Sequence, residues 1–264
     1  MTTEIIVAGA RGRMGSAITE LARQDREISL RAVLEHPQRL QELEYLECAK
    51  EQDVEKVVSE SAGAVIIDFT APDVTMQNLQ AAEAKGNPLV IGTTGFSQQQ
   101  QEELNQAARH LPIFMAPNMG VGINVLLQFL PKLAELLGPD YDVEISEIHH
   151  KYKKDAPSGT AVRLGQVLGQ SKGWEEEDFL RYSREGIIGE RPKKEIGVQT
   201  LRGGDVVGEH TVHFFGPGER IDVTHRVHSR NTFAQGAIRA AKWIRSKNPG
   251  KIYSMSDLFA DILS

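Results

Sequence analysis

A strand that runs directly into a glycine turn and then a helix narrows the folds open to this chain more than any other feature. Residues 4–9 read EIIVAG, a continuous β-branched run closed by glycine. RMGSAITELARQD follows, with Met14, Ala17, Ile18 and Leu21 at helical spacing. Gly9, Gly12 and Gly15 punctuate the junction as G-x-x-G-x-x-G, Ala10 standing where the commoner G-x-G-x-x-G has its second glycine. Glycines here permit a tight turn and let the backbone approach a pyrophosphate at the helix N-terminus. An ordinary strand-to-helix turn can carry the same spacing, so the motif draws its weight from context.

The context is an alternation of short apolar runs with helical patterns. Strands are predicted at 28–35, 64–70, 88–95 and 112–118. Helices are predicted from about Val74 to Lys85, stopping at Gly86, and from a Ser97–Gln100 capping box to about His110. Strands separated by helices imply right-handed crossovers and a parallel sheet covered on both faces. Glu35 ends the second strand, where an acid can accept from the ribose hydroxyls of a dinucleotide; a surface acid at a strand end is the alternative. His36 and Pro37 follow it, where an NADP site would place an arginine, so NADH is expected over NADPH, with Arg11, Arg13 and Arg39 as the available cations for a 2′-phosphate. DFT (68–70), GTTG (92–95) and APNMG (116–120) fall at carboxyl ends of parallel strands, where open α/β sheets bind ligands.

The pattern changes after Asn118. A helix is predicted over 124–138 with Pro131 as a kink, a strand over 141–150 and a helix over 160–173. EIGVQTLR, DVVGEHTVHFF and ERIDVTHRVHS, split by GG and GPG, predict three strands in an antiparallel meander. Helical patterns return at 233–246 and 255–263.

Residues 147–161, EIHHKYKKDAPSGTA, gather cations before a helix start. His149 and His150 end a strand, so their side chains point to opposite faces. Ser158 or Gly159 serves as N-cap, and the amides of 159–161 make an anion site reinforced by the helix dipole. A carboxylate fits there, with Lys153 or His150 as its ion partner, and Lys153 is expected to fold back near His149. Clustered cations make one another better acids, which suits a reductase: hydride arrives on one atom and a proton must reach its neighbour. A solvated lysine-rich turn is the competing reading. A metal site from His149 and His150 is not expected, because adjacent strand residues diverge and no third ligand stands nearby. His210, His213, His225 and His228 read as sheet residues, the odd spacing within each pair putting its members on opposite faces, and Arg184, Arg191 and Arg220 as loop charge.

Composition excludes several classes. The 264 residues, 40% hydrophobic and 25% charged, suit one large or two modest globular domains. The net charge of −6 opposes a nucleic-acid partner. Cys48 is the single cysteine, so an internal disulfide and a thiolate cluster are excluded, which fits a reducing cytoplasm. No run approaches the roughly 20 apolar residues of a membrane helix, and the N-terminus lacks a signal-peptide pattern.

The segments VAGARGRMG, DFT, IGTTGF, APNMGVGIN, EIHHKYKKDAPSGTA, SREG…GER, RGGDVVGEHTVHF and FAQGAIRAAKWI resemble the 4-hydroxy-tetrahydrodipicolinate reductase (dihydrodipicolinate reductase) family over nearly the whole chain. The resemblance implies an α/β protein: a Rossmann-like parallel-sheet domain over 1–119, completed by 232–264, and an α+β substrate-binding and oligomerisation domain over 120–231 with a mixed, largely antiparallel sheet. It implies His149 and Lys153 as the proton-transfer pair, with Lys153 ahead of His149 as the immediate donor. His150 would contact substrate, and Gly159 and Thr160 would hold a substrate carboxylate through their amides. The cofactor, NADH or NADPH, would meet Gly9, Ala10, Arg11, Gly12, Arg13 and Met14 at the glycine loop and Glu35 at the ribose. Gly92, Thr93 and Thr94 would lie near the nicotinamide, and Ala116, Pro117, Asn118 and Met119 at the domain hinge. A small cyclic dicarboxylate as substrate, a homotetramer and no metal complete the expectation. Family members often carry Arg or Lys after the acidic residue, and His36 departs from that. Two further readings remain: a different two-domain NAD(P)-dependent dehydrogenase, which leaves the doubled cation cluster unexplained, and a non-catalytic NAD-binding regulator, which needs no proton donor.

Overall fold

A computed structural model describes residues 2–174 and 177–263. The chain divides into two compact units, one of Met1–Val121 with Arg230–Ser264 and the other of Gly122–Ser229.

In the first unit, β1 (Thr3–Ala8), β2 (Ile28–Leu34), β3 (Ala49–Glu51), β4 (Val65–Asp68), β5 (Leu89–Ile91) and β6 (Ile113–Met115) alternate with α1 (Arg13–Gln24), α2 (Val54–Glu60), α3 (Pro72–Lys85) and α4 (Gln98–Ala107). The chain returns to this unit late, as α7 (Asn231–Ile244), β12 (Ile252–Tyr253) and α8 (Met255–Leu263). The seven-stranded sheet runs β12-β6-β5-β4-β1-β2-β3, every pair parallel. β1 shows why its sequence is apolar without alternation. Ile5 and Val7 face a core with α1, α7 and α8, while Ile6 and Ala8 face one with α2, α3 and α4. The fully buried Ile5, Ile6 and Val7 side chains contribute about 1.5–3 kcal/mol each. The local punctuation read from sequence is present. Ser97 and Gln100 form the reciprocal capping box, and Gly86 ends α3 at φ +73°.

The second unit holds most of α5 (Val121–Leu137), then β7 (Asp142–His149), α6 (Gly159–Ser171), β8 (Leu180–Arg181), β9 (Ile196–Arg202), β10 (Gly208–Gly216) and β11 (Glu219–Val227). Pro131 lies inside α5. The five-stranded sheet runs β11-β10-β7-β9-β8. It is mixed: β10 is antiparallel to β11 and β7, whereas β9 is parallel to β7 and β8. The three-strand meander predicted for 195–229 is therefore corrected, because β7 lies between β9 and β10. Residues 203–207 cross the end of β7 instead of closing a hairpin. Gly203 donates to the His149 carbonyl (3.0 Å), and the N–H groups of His150 and Lys151 donate to Val206 (2.8 Å) and Gly204 (3.3 Å). A tight GG turn and this straddling loop look alike in sequence; the hydrogen-bonding partner of β9 is a tertiary choice. Val143, Ile145, Val198, Val212 and Phe214 face one core with α5 and α6.

Candidate functional site

The first unit carries the glycine turn with each glycine placed for its own reason. Gly9 has φ +68°, the left-handed region, and a Cβ there would stand 2.8 Å from Thr70 Cγ2. A Cβ at Gly15 would stand 2.1 Å from the Gly9 carbonyl, so α1 packs directly on the turn. Gly12 is the N-cap of α1 with no side-chain cap, leaving the opening of the helix to backbone amides. Glu35 reaches back to this turn: its carboxylate accepts from Arg11 N–H at 2.7 Å and from His36 N–H at 2.9 Å. Arg11 pairs with Glu42 at 2.6 Å, and Arg39 donates to the Arg11 carbonyl at 3.4 Å. Arg13 is exposed and Met14 packs against the core. The narrow cradle, uncapped helix start and acid at the second strand end fit the pyrophosphate and ribose of a dinucleotide.

Two neighbouring strand ends are fixed from below by buried Asp68, whose side chain accepts from Thr70 N–H (2.8 Å), Thr70 Oγ1 (2.6 Å), Asn78 Nδ2 (2.8 Å) and Thr93 Oγ1 (3.3 Å). Thr93 also accepts from Thr75 Oγ1 at 3.0 Å, so the loop after β5 is held by side chains from α3. Gly92 lies flat on Phe69, whose ring would be 2.0 Å from a Cβ there; Thr94 is exposed. After β6, Ala116 N–H donates to the Ile91 carbonyl (3.1 Å), Asn118 Oδ1 accepts from Gly120 N–H (2.9 Å), and Met119 is buried, while Pro117 is exposed.

The second unit builds its centre on β7. Val143, Ile145, Glu147 and His149 share the inward face, and the last two replace apolar residues by a carboxylate and an imidazole. Glu147 is fully buried and accepts five hydrogen bonds. Arg202 binds both oxygens at 2.8 Å, Thr200 Oγ1 and Ser158 N–H reach Oε1 at 3.1 and 3.0 Å, and His149 Nδ1 lies 2.6 Å from Oε2. Strand register explains the set, since Glu147 stands opposite Thr200 and His210 while His149 stands opposite Arg202. Burial pulls the Glu147 carboxyl up, but Arg202, His149 and the Ser158 amide outweigh it and hold the group down at about 2. Burial depresses His149; Glu147 opposes that, and the charges of Lys153 and Arg202 add to it. His210 stacks edge-on to His149 at 5.1 Å, and its Nε2 shares a 3.0 Å hydrogen bond with Ser158 Oγ. Burial, then the neighbouring His149, push His210 down to about 3.

Ser158 is the N-cap of α6 and its Oγ accepts from Ala161 N–H, so that amide is occupied rather than open to a ligand. A Cβ at Gly159 would meet nothing within 4 Å, and Thr160 follows in the same first turn. Lys153 is paired with Asp155 at 2.8 Å, with its charge felt at His149. The structure thus brings His149, Lys153 and the start of α6 to one region. His150, the next residue, is half-buried, with its ring 6.3 Å from that of Tyr152. Among the described residues, no group of three or more His, Cys, Asp or Glu side chains is arranged to hold a metal ion.

Glu147, Arg202, Thr200 and His210 were not singled out from sequence as members of this centre. The parity of Glu147 with His149 was a usable signal; the other three arrive through strand register, which spacing does not encode. Arg184 and Arg191 are more than loop charge, since Arg184 binds both oxygens of Glu144 (2.7 and 2.8 Å) and Glu195 (2.6 Å), and Arg191 binds Glu144 (3.0 Å) and Asp142 (2.7 Å). The sheet's other face holds Ser146, His213 and Asp222 in series, at 3.0 and 2.7 Å. Ser146 sits in the middle strand with neighbours on both sides, so the backbone amides around it are committed to the sheet and offer no oxyanion site.

The two buried groups set the acid stability of this unit. Glu147 is depressed below its ordinary 4.5, so its stabilisation is present above pH 4.5 and is lost as pH falls through about 2. His210 is a base kept neutral, also depressed, so its contribution is complete above 6.5 and is lost as pH falls through about 3. Wild-type Tm is expected to fall between about pH 6.5 and about pH 4, and His210→Gln to flatten that slope. Equal slopes in circular-dichroism melts of the two proteins would remove His210 from the acid transition.

A doubly wound parallel sheet with a glycine turn at its first helix defines a Rossmann-type dinucleotide-binding α/β chain with an added mixed-sheet unit. Residues 3–119 match the family described as "Dihydrodipicolinate reductase, N-terminus", and residues 122–259 match "Dihydrodipicolinate reductase, C-terminus". The 4-hydroxy-tetrahydrodipicolinate reductase of Nitratidesulfovibrio vulgaris (strain DP4) is 55% identical over 259 residues, covering 98% of this chain and all of that one. Its counterpart from Oleidesulfovibrio alaskensis is 53% identical over 258 residues with the same coverage. A dipicolinate-bound dihydrodipicolinate reductase from Paenisporosarcina sp. TG-14 superposes with a TM-score of 0.77 at 23% identity, over 96% of this chain and 98% of that one. An amine dehydrogenase from Mycobacterium smegmatis shares the fold at a TM-score of 0.58 and 12% identity, over 96% and 95% of the two chains. The chain belongs to the dihydrodipicolinate reductase family.

Proposed function

We propose that this protein reduces 4-hydroxy-tetrahydrodipicolinate to tetrahydrodipicolinate in lysine and diaminopimelate biosynthesis, with NADH as the preferred reductant. The observation that carries the reading is a histidine and a lysine gathered beside the first turn of α6. A bound reduced nicotinamide supplies the hydride. In the first unit, the glycine turn and the amides opening α1 bind the pyrophosphate, and Glu35 orients the ribose. In the second, Gly159 and Thr160 take a substrate carboxylate at the helix start, where the dipole favours an anion. Lys153 exchanges Asp155 for the substrate and delivers the proton, with His149 beside it. His150, beside His149 at the end of β7, contacts the substrate. Family resemblance adds a homotetramer and a cytoplasmic location to the same proposal.

Dipicolinate is a planar dicarboxylate, so calorimetric titration of the NADH-saturated protein with it tests the substrate reading. Saturable binding that weakens at least about tenfold in Lys153→Ala supports it. Absence of binding overturns it.

Cofactor preference follows from the ribose end. The carboxylate of Glu35 repels a 2′-phosphate, and Glu42 already pairs with Arg11. A higher kcat/KM with NADH than with NADPH is expected, and His36→Arg should narrow the gap. A strong NADPH preference in the wild type would contradict this reading.

A further inference from the structure

We propose that Glu147 and Arg202 together are the positioning unit of the second unit's centre: the carboxylate fixes both the His149 ring and the start of α6, and the guanidinium, by taking both carboxylate oxygens, adds to burial in keeping His149 an uncharged imidazole with its proton on Nδ1. The role rests on the reading that His149 and Lys153 serve the proton transfer.

Charge and hydrogen-bond bookkeeping lead there. Glu147 is the common acceptor of two strands and a helix start: His149 on its own strand, Thr200 and Arg202 on β9, and the Ser158 amide that opens α6. A single buried carboxylate therefore sets the separation between the histidine and the helix start proposed to hold the substrate. Its one negative charge is met by the one positive charge of Arg202, in two parallel contacts of 2.8 Å. An imidazolium at His149 would be a second cation on that carboxylate, in a site that removes it from water and already holds Lys153 nearby.

The groups facing His149 are Glu147 from β7, Arg202 from β9, His210 from β10, and Lys153 with its partner Asp155 from the following loop. His225 on β11 lies next to His210 in register. Only Glu147 and Asp155 are anionic, and each is already engaged by a cation.

The tautomer has a consequence. With Nδ1–H donated to Glu147, the bare nitrogen of His149 is Nε2, which faces Gly208; a Cβ at 208 would stand 3.0 Å from it. An uncharged His149 presents an acceptor there, so the proton that reaches the substrate starts on Lys153.

The test reads His149 directly, whether or not the protein turns over. In full-length protein labelled at its histidines, the His149 resonances are assigned by their loss in His149→Asn. Their titration is then followed by NMR. Glu147→Gln is expected to move the His149 midpoint to lower pH, and Arg202→Gln to move it to higher pH. Opposite signs are not what generalised loosening of the fold gives. Movement in the same direction, or an unchanged midpoint in either folded variant, overturns the proposal. Where only one variant folds, its sign decides. Where neither does, nitrogen chemical shifts of the wild type at neutral pH decide: protonated Nδ1 with bare Nε2 supports the proposal, and imidazolium or the Nε2–H tautomer overturns it. A protein with the expected shifts but no reductase activity would retain this positioning unit and lose the functional reading.

Discussion

Lys153→Ala is expected to lower kcat by at least about 10²-fold while Tm stays within about 3 °C of wild type. The two halves of that expectation come from different observations. Lys153 lies beside the centre, its charge reaching His149 and its ammonium resting on Asp155. Losing a general acid removes about 10²–10⁴ in rate. The ion pair being lost is solvated at its Asp155 end, that side chain being 58% exposed against 21% for Lys153, and pairs open to solvent contribute little to stability. A variant with near-wild-type kcat would take Lys153 out of the proton path. A variant that melted far below wild type would show that the residue braces the loop instead.

The chemistry was more legible in sequence than the framework that supports it. EIHHKYKKDAPSGTA announces its cations and helix start because capping is local: Ser158 caps α6 whatever surrounds it. Gly9, Gly12 and Gly15 are legible for the same reason. The short strands β3, β8 and β12 and the helix α2 were not anticipated. AKE in β3 is partly exposed and too brief for any period to show. The strand order of the second unit was misread because parallel pairing of β9 with β7 is decided by which surfaces meet, not by the turn residues between β9 and β10. Glu147 hid in plain view as an acid in a strand that also reads as half-exposed. Its burial becomes intelligible only when register supplies Arg202 and Thr200 as partners.

Gly15→Ala is the second large effect. The added methyl would lie 2.1 Å from the Gly9 carbonyl oxygen and 2.8 Å from Ala10 Cα. Both obstacles are backbone, so no side-chain rotation relieves them. Either α1 moves away from the turn or the turn opens, and overpacking of this kind costs about 1–3 kcal/mol or more. The turn is also where the dinucleotide is proposed to sit, so affinity for NADH in a fluorescence titration should fall at least about tenfold, alongside a lower Tm. Gly12→Ala is the internal comparison. Its methyl would approach the Gly9 carbonyl to 3.1 Å, a contact that a few tenths of an ångström relieves, and its effect on Tm should be smaller. Equal, wild-type-like NADH affinity in both variants would place the cofactor elsewhere.

The most direct measurement is NADH oxidation by the purified protein, supplied with the freshly formed condensation product of pyruvate and aspartate semialdehyde. The account predicts enzyme-dependent loss of NADH absorbance that needs both components of the condensation and nearly vanishes in Lys153→Ala. NADH consumption no faster than in the enzyme-free mixture, from folded protein that binds NADH, would contradict it.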